Sequence, residues 1–145
     1  MTSIHKSALV PYSAHEMFQL VADIESYGGF LPWCSGARIV SREPELIVAA
    51  IDVAYSGVRK TFTTQNRLNA DKTMEMRLLS GPFSHLQGYW HFHALDERAS
   101  KISLDLEFKF SNKMLDLTLG PVFTTITNSM VDSFQQRAVE VYGKR

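Results

Sequence analysis

The sequence predicts an α+β fold in which a curved antiparallel sheet of about seven strands packs around a long C-terminal helix. Three observations support this prediction. Apolar residues recur with helical spacing near the N-terminus, the period changes to two between about residues 36 and 110, and helical spacing then returns. Strands that follow one another without intervening helices are typical of an antiparallel sheet. At this length we expect one domain covering residues 1–145.

The first two predicted elements are a short strand and a helix. Residues 3–10 can form the strand, which ends at Pro11 because proline has no backbone N–H to donate. Ser13 and Glu16 have the spacing of a capping box, so the helix is predicted to begin there. Its apolar stripe consists of Met17, Leu20, Val21 and Ile24. We expect this helix to end near Glu25.

Alternating apolar and polar residues predict the strands of the sheet. The clearest alternation lies between residues 101 and 110, where the apolar positions are Ile102, Leu104, Leu106, Phe108 and Phe110. Such a pattern indicates strands with one buried face and one solvated face. Turn-forming residues separate the strands, at Glu43-Pro44, Ser56-Gly57, Asn69–Lys72, Gly81-Pro82 and Asp96–Ser100.

The chain ends in a long helix whose apolar positions are three or four residues apart: Val122, Ile126, Met130, Phe134, Ala138 and Val141. Asn112 can cap its start, and Gly120-Pro121 is predicted to kink or restart it. This helix is the only element large enough to cover the apolar face of the sheet. We therefore expect a volume between sheet and helix that large apolar residues line.

Composition and charge exclude several classes of protein. Fifteen basic and fifteen acidic residues cancel, so no overall field attracts nucleic acid, and we expect no DNA binding. Cys34 is the only cysteine, which excludes an internal disulfide and is typical of a reducing compartment. The sequence contains neither a signal-peptide pattern nor an apolar run long enough to span a membrane. We therefore predict a cytoplasmic protein.

The residues that could carry chemistry do not form a catalytic set. Cys34 has no paired base nearby in the sequence, so a buried thiol is the favoured interpretation. His91 and His93 share a strand face, but that face is the predicted solvated one. Asp23 is expected to bond backbone amides near the end of the first helix. We therefore predict no catalytic residue and no metal site.

Residues 28–34, "GGFLPWC", form an uncharged segment that directly follows the first helix, where a polar loop is usual. We call this segment the 28–34 loop. Phe30, Leu31 and Trp33 can form an apolar lip at a ligand-binding site, because tryptophan suits a boundary between apolar and polar surroundings. In the alternative interpretation, Trp33 fills the core. The lip is the interpretation that we favour from the sequence.

Three motifs, in order, resemble those of the coenzyme Q-binding START-like family, which lies within the polyketide cyclase and lipid-transport superfamily. Residues 21–34, "VADIESYGGFLPWC", resemble its helix-and-loop signature, and "GPFSHLQGYWHF" at 81–92 resembles its second motif. Residues 120–123 and 130–138 resemble its closing helix. The family usually has proline where this chain has Gly28, which predicts a looser loop. The resemblance implies a helix-grip fold.

The same resemblance implies two functions. In the first, the protein binds a polyprenyl quinone such as ubiquinone without catalysis and delivers it to respiratory or quinone-synthesis enzymes. It would then work in the cytoplasm or at the inner face of the membrane. In the second, it resembles toxins that bind the large ribosomal subunit and block subunit association. A cyclase or hydrolase is implied by distant superfamily members only.

We expect ubiquinone as a bound ligand and no other cofactor. Its site is predicted to consist of apolar side chains from the 28–34 loop, the sheet and the C-terminal helix: Phe30, Leu31, Trp33, Phe83, Trp90, Phe92, Phe123, Ile126, Met130 and Phe134. The ligand is expected to enter between the 28–34 loop and the C-terminal helix, since both are apolar and both flank the covered face of the sheet.

Overall fold

A computed structural model describes residues 1–145. Its elements are β1 (Thr2–Val10), α1 (Ala14–Ala22), a 3₁₀-helix (Ile24–Gly29), β2 (Cys34–Glu43), β3 (Leu46–Tyr55), β4 (Val58–Asn69), β5 (Thr73–Ser80), β6 (Phe83–Ala94), β7 (Ser100–Phe110) and α2 (Lys113–Tyr142). Seven strands followed by one long helix confirm the predicted α+β fold. The five predicted turns coincide with the five connections between β2 and β7.

All seven strands form one antiparallel sheet in the order β1-β7-β6-β5-β4-β3-β2. The alternation predicted for β7 is confirmed, because Ile102, Leu104, Leu106, Phe108 and Phe110 are all buried. Irregular register in β2, β4 and β6 marks bulges, which let the sheet curve. The concave face of this curved sheet packs around α2.

Helix α1 begins at the predicted capping box. The Glu16 N–H donates to Ser13 Oγ over 3.0 Å, and the Ser13 N–H donates to Glu16 Oε1 over 2.9 Å. The helix ends at Ala22, three residues before the predicted Glu25, and the chain continues as the 3₁₀-helix. At this junction Ser26 Oγ donates to Asp23 Oδ2 over 2.6 Å, so Asp23 accepts a local side-chain bond.

Helix α2 is capped by Asn112, whose side-chain oxygen accepts from the Leu115 N–H over 2.9 Å. The prediction of a restart at Gly120-Pro121 is wrong, because one helix runs from Lys113 through both residues to Tyr142. Proline removes the donor that would otherwise bond to the Leu117 carbonyl. Leu117 lies on the exposed side of α2, so water can hydrate that carbonyl and the helix continues.

The end of α2 is tied to α1. Tyr142 donates to the Glu16 carbonyl over 2.9 Å, and Arg145 donates to both carboxylate oxygens of Glu16 over 2.7 and 2.8 Å. Tyr12 completes the connection through a 2.7 Å bond to the Gly143 carbonyl. These bonds fix the C-terminal half of α2 across the sheet, whereas its N-terminal half has fewer polar ties. Neither helix combines the length and hydropathy required to span a bilayer.

Candidate functional site

The sheet and α2 enclose a cavity of about 50 Å³. Eleven of its thirteen lining residues are hydrophobic, and they come from five strands, from α2 and from the segment between α1 and β2. The lining residues are Tyr27, Trp33, Ile51, Val53, Phe62, Thr64, Met76, Leu86, Leu106, Phe123, Ile126, Thr127 and Met130. Ligand pockets usually measure about 300–1,000 Å³, so a larger guest requires these side chains to move apart.

A second apolar depression adjoins the cavity, and we call it the funnel. It shares Val53, Phe62, Phe123 and Ile126 with the cavity. Its other lining residues are Val58, Lys60, Pro82, Phe83, Phe110, Leu119 and Val122. Lys60 is the only charged side chain among them and is exposed. The funnel therefore opens between the β3–β4 turn, the β5–β6 turn and the first half of α2.

Two threonines, one tyrosine and one tryptophan are the cavity-lining residues whose side chains carry polar atoms. Thr127 donates to the Thr124 carbonyl within α2 over 3.1 Å. Thr64 accepts from Asn66 Nδ2 over 3.1 Å, and the same amide donates to the Ile47 carbonyl over 3.1 Å. The hydroxyls are thus held by protein partners. Each still has lone-pair capacity toward a donor.

The indole N–H of Trp33 has no hydrogen-bond partner although it is fully buried. Leaving a buried donor unpaired costs about 1–3 kcal/mol, so such groups usually have an explanation. Trp90 carries the other unpaired indole N–H, but Trp90 does not line the cavity. It packs between Phe92 and Phe134 in the core. Trp33 is therefore the only cavity-lining residue with an unpaired buried donor.

The ten residues predicted to contact a ligand do not come together in one place. Trp33, Phe123, Ile126 and Met130 line the cavity, and Phe83 lines the funnel. The other five lie outside both: Phe30, Leu31, Trp90, Phe92 and Phe134. Phe92 packs under α1 against Phe18, because β6 first passes the cavity at Leu86 and then continues beneath that helix. The prediction treated one apolar face as one site, whereas the curved sheet divides it.

The exposed lip predicted for the 28–34 loop is wrong. Leu31 is 2% exposed and Trp33 is 4% exposed, so both side chains are core residues. Phe30 packs edge-on against Tyr27 and Phe134, and the Arg137 guanidinium lies 4.8 Å above its ring. These contacts pack the loop against α2, along the predicted entry route. Trp33 nevertheless reaches the cavity from inside.

There is a structural reason for glycine at position 28, which the prediction of a looser loop did not take into account. A Cβ built at Gly28 would lie 3.2 Å from Gly36 Cα, so a side chain there would push the loop away from β2. The Tyr27 hydroxyl donates to the Val21 carbonyl, which ties the end of the 3₁₀-helix back to α1. Together these contacts position the backbone that places Trp33 in the cavity wall.

Sequence reasoning missed most of the wall contributed by β3 and β4, where Ile51, Val53, Phe62 and Thr64 lie. Phe62 and Thr64 are two residues apart, so they share one face of β4. The sequence did not show the strand register, which pairs Ile51 with Phe62 and brings both residues under α2. Tyr27 was also missed, although its place beside the 28–34 loop made it a reasonable candidate.

Cys34 and His91 are the remaining candidates for a chemical role, and each contacts a neighbouring protein group. The Cys34 thiol donates to the Gly36 carbonyl over 3.3 Å, and burial raises its pKa, which disfavours the thiolate. His91 is half exposed, and its Nε2 lies 3.8 Å from Asp105 Oδ2. No group of three or more His, Cys, Asp or Glu side chains has a geometry that could hold a metal ion.

Comparison with known proteins gives consistent matches. A family model described as polyketide cyclase/dehydrase and lipid transport matches residues 10–135. The ribosome association toxin RatA of Escherichia coli is 46% identical over 145 residues, which are all of this chain and 92% of that protein. A mitochondrial coenzyme Q-binding protein COQ10 homolog B from Xenopus laevis is 24% identical, covering 97% of this chain and 59% of that protein.

Solved structures share the fold. The 18 kDa protein CC1736 from Caulobacter crescentus superposes with a TM-score of 0.77 at 27% identity, covering 99% of this chain and all of the other. A Streptomyces aromatase/cyclase, Zhui, superposes with a TM-score of 0.80 at 16% identity, covering 99% of each chain. The second match shows the fold alone, and it shows that enzymes also use this fold.

Proposed function

The chain belongs to the polyketide cyclase/dehydrase and lipid-transport family, and we propose that it binds and delivers a polyprenyl quinone such as ubiquinone without catalysing a reaction. Residues 1–145 act as one ligand-binding domain in this proposal, and the quinone head occupies the cavity between the sheet and α2. The clients are respiratory or quinone-synthesis enzymes. The protein works in the cytoplasm or at the inner face of the membrane.

The observation that carries this proposal is an apolar cavity whose wall includes one unpaired donor, the Trp33 indole N–H. A quinone head is a flat apolar ring with carbonyl oxygens that only accept hydrogen bonds. One such oxygen can take the bond that Trp33 lacks, which would remove the penalty of the unpaired donor. The name of the Xenopus relative, a coenzyme Q-binding protein, supports this class of ligand.

The size of the cavity sets a condition on binding. At about 50 Å³ it has room for only a few atoms, so the head must displace side chains. Met76 and Met130 are lining residues with unbranched side chains, which change rotamer more easily than branched ones. In this proposal the isoprenoid tail lies in the funnel, because the funnel adjoins the cavity and is lined mostly by apolar side chains.

The ionisable groups of the wall support a non-catalytic role. Tyr27 is the only ionisable side chain among the thirteen lining residues. Burial raises its pKa far above the usual range of tyrosine, and its hydroxyl is engaged by the Val21 carbonyl. A group in this state neither gives up nor accepts a proton readily near pH 7. The cavity therefore has no acid–base pair with which to act on a ligand.

The test is titration of the purified protein with a short-tailed ubiquinone, comparing Trp33→Phe with Trp90→Phe as the matched control. Both changes remove a buried, unpaired indole N–H, but only Trp33 lines the cavity. We expect Trp33→Phe to weaken quinone binding at least tenfold, since one hydrogen bond to a buried acceptor is lost. Trp90→Phe should stay within twofold of the wild type. Equal affinities for the two variants, or no quinone binding by the wild type, would contradict the proposal.

A second candidate function is association with the large ribosomal subunit, and it has separate support. Relatives that are 45–46% identical over almost the whole chain are named ribosome association toxin RatA. Co-sedimentation of the protein with isolated large subunits tests this candidate directly. Trp33→Phe should leave that co-sedimentation unchanged, because Trp33 is buried and cannot contact a ribosome from the folded state.

A further inference from the structure

The zero net charge of the chain conceals an asymmetry between its two ends. Consecutive antiparallel strands place alternate connections at opposite ends of the sheet. One end, which we call the acidic end, holds the β2–β3, β4–β5 and β6–β7 turns. Within two residues of these turns, five acidic and four basic residues nearly balance: Glu43, Glu45, Asp71, Asp96, Glu97, Arg42, Lys72, Arg98 and Lys101.

The opposite end, the basic end, holds the β3–β4 turn, the β5–β6 turn and the connection from β7 to α2. Within two residues of these connections the charged residues are Arg59, Lys109 and Lys113, and Lys60 directly follows Arg59. None of the four basic side chains forms an ion pair with a carboxylate. Asp116, the first carboxylate along α2, accepts a hydrogen bond from the Phe110 backbone N–H over 3.2 Å.

The dipole of α2 does not explain why a lysine stands at position 113. Lys113 is the first residue of α2. The helix macrodipole places partial positive charge at this terminus, where an acidic residue stabilises and a lysine does not. The lysine therefore adds to the positive potential of the basic end while contributing nothing favourable to the helix dipole.

The basic end also exposes large apolar side chains. Met114 is 74% exposed and Leu117 is 79% exposed, and they lie three residues apart on the first turns of α2. Tyr55, at the end of β3, is also exposed. The funnel opens beside them, since Leu119 and Val122 of α2 and Val58 of β4 line it. Apolar side chains, unpaired lysines and the mouth of the funnel thus share one end of the molecule.

We propose that the basic end is a docking surface for an anionic phospholipid bilayer. Peripheral attachment requires apolar side chains that enter the headgroup region and basic side chains that are attracted by anionic lipid, and this end has both. The acidic end has no such excess of basic side chains, so an anionic surface attracts the basic end more strongly and orients the molecule. Docking in this orientation faces the funnel toward the bilayer.

The aliphatic character of Met114 and Leu117 favours a lipid surface over RNA. Nucleic-acid interfaces are polar and positively charged, and their apolar contacts are mainly aromatic rings that stack on bases. Two exposed aliphatic side chains on a helix stack poorly on a base but partition well into an acyl boundary. The docking surface does not depend on which ligand the cavity takes, so it goes beyond the proposed quinone binding.

The test is flotation of the full chain with vesicles of phosphatidylcholine and phosphatidylglycerol at a ratio of 7:3, compared with vesicles of phosphatidylcholine alone. We expect the wild type to bind the anionic vesicles and to be released by high salt, which screens surface charge. Met114→Ser with Leu117→Ser should weaken binding at least tenfold, since both side chains lose contact with acyl chains. Arg59→Gln with Lys113→Gln should weaken it roughly thirtyfold, since each basic residue near the membrane contributes separately.

Matched controls come from the acidic end. Leu95 is an exposed leucine there, and Leu95→Ser should stay within twofold of wild-type vesicle binding. Lys72→Gln with Arg98→Gln removes two charges from that end and should also leave binding within twofold. The proposal is overturned if the wild type does not float with anionic vesicles, or if the variants at both ends float alike. It is also overturned if the wild type binds ribosomal RNA but no vesicles and Arg59→Gln with Lys113→Gln abolishes that binding.

These measurements distinguish a failure of membrane docking from a failure of quinone binding. Titration with a short-tailed ubiquinone in vesicle-free buffer reports only on the cavity, and Met114→Ser with Leu117→Ser should match the wild type there. Trp33→Phe should float with anionic vesicles as the wild type does. A protein that floats but binds no quinone keeps the docking surface and loses the proposed function, and the reverse result removes only the docking surface.

Discussion

Gly88 on β6 is the position at which a single methyl group should change the cavity. It pairs with Met76 on β5 and with Leu106 on β7, and both neighbours line the cavity. A Cβ built at Gly88 would lie 2.7 Å from Met76 Cε and 2.8 Å from Leu106 Cδ1. Carbon atoms in contact are normally about 3.5–4.0 Å apart, so Gly88→Ala must move both side-chain tips by about 1 Å.

The expected loss of stability is small because both contacts are with the ends of flexible side chains. Inserting a methyl group into a packed core costs about 1–3 kcal/mol. Replacing a strand glycine by alanine returns about 0.5–1 kcal/mol of backbone entropy. We expect a net loss of stability of about 1 kcal/mol, because the displaced side-chain tips can enter the cavity and the packing cost stays small. The cavity of about 50 Å³ then shrinks, and quinone affinity should fall at least tenfold.

Urea denaturation and quinone titration of Gly88→Ala measure the two effects separately. Gly29→Ala is the control, since a Cβ at Gly29 meets no heavy atom within 4 Å, and both measurements should match the wild type. A loss of stability above about 3 kcal/mol would mean that no free volume lies beside Gly88. Unchanged quinone affinity in a stable Gly88→Ala protein would mean that the ligand does not use the cavity.

Three further predictions concern α2, α1 and Cys34. Gly120→Ala should raise the free energy of unfolding by about 0.5–1 kcal/mol in urea, since its Cβ meets no atom within 4 Å and alanine favours the helix; a loss would show strain at Pro121. Arg145 and the Ser13 N–H lower the pKa of Glu16 to about 2. The ionised carboxylate therefore stabilises the fold fully above the pKa of about 4.3 that it has in the unfolded chain, and this stabilisation is lost as the pH falls toward 2. The stability difference between the wild type and Glu16→Gln should therefore be full at pH 6 and absent near pH 2, and a constant difference would contradict it. Burial raises the pKa of the Cys34 thiol, so a thiol reagent should label the native protein far more slowly than the urea-unfolded protein, and equal rates would refute this.

Much of the fold follows from local patterns that the sequence displays directly. The alternation in β7 identifies its buried face because side chains point to opposite sides of a strand regardless of what covers them. The capping box of Ser13 and Glu16 needs only two residues three positions apart, and both of its hydrogen bonds form. The apolar spacing of α2 likewise identifies Ile126, Met130 and Phe134 as part of the buried face, although Val141, the last residue of that spacing, is exposed.

Predictions that depended on a single local signal were less successful. Gly120-Pro121 suggested an interruption, but the carbonyl that Pro121 leaves without a donor faces solvent and the helix continues. The 28–34 loop suggested an exposed lip because it is apolar and follows a helix. Its apolar side chains instead fill the gap between the sheet and α2, and Trp33 reaches the cavity only from within the core.

The sequence by itself determined the class of fold, the order of its elements, the buried face of β7 and the family, because each of these depends on periodicity or on short motifs. Only the tertiary structure decided which apolar residues surround the cavity and which merely pack in the core. Trp33 and Trp90 are both buried with unpaired indole groups, yet only Trp33 lines the cavity. The physical reason is that a cavity is defined by gaps among several elements, and those gaps depend on the curvature of the sheet and the path of α2 across it.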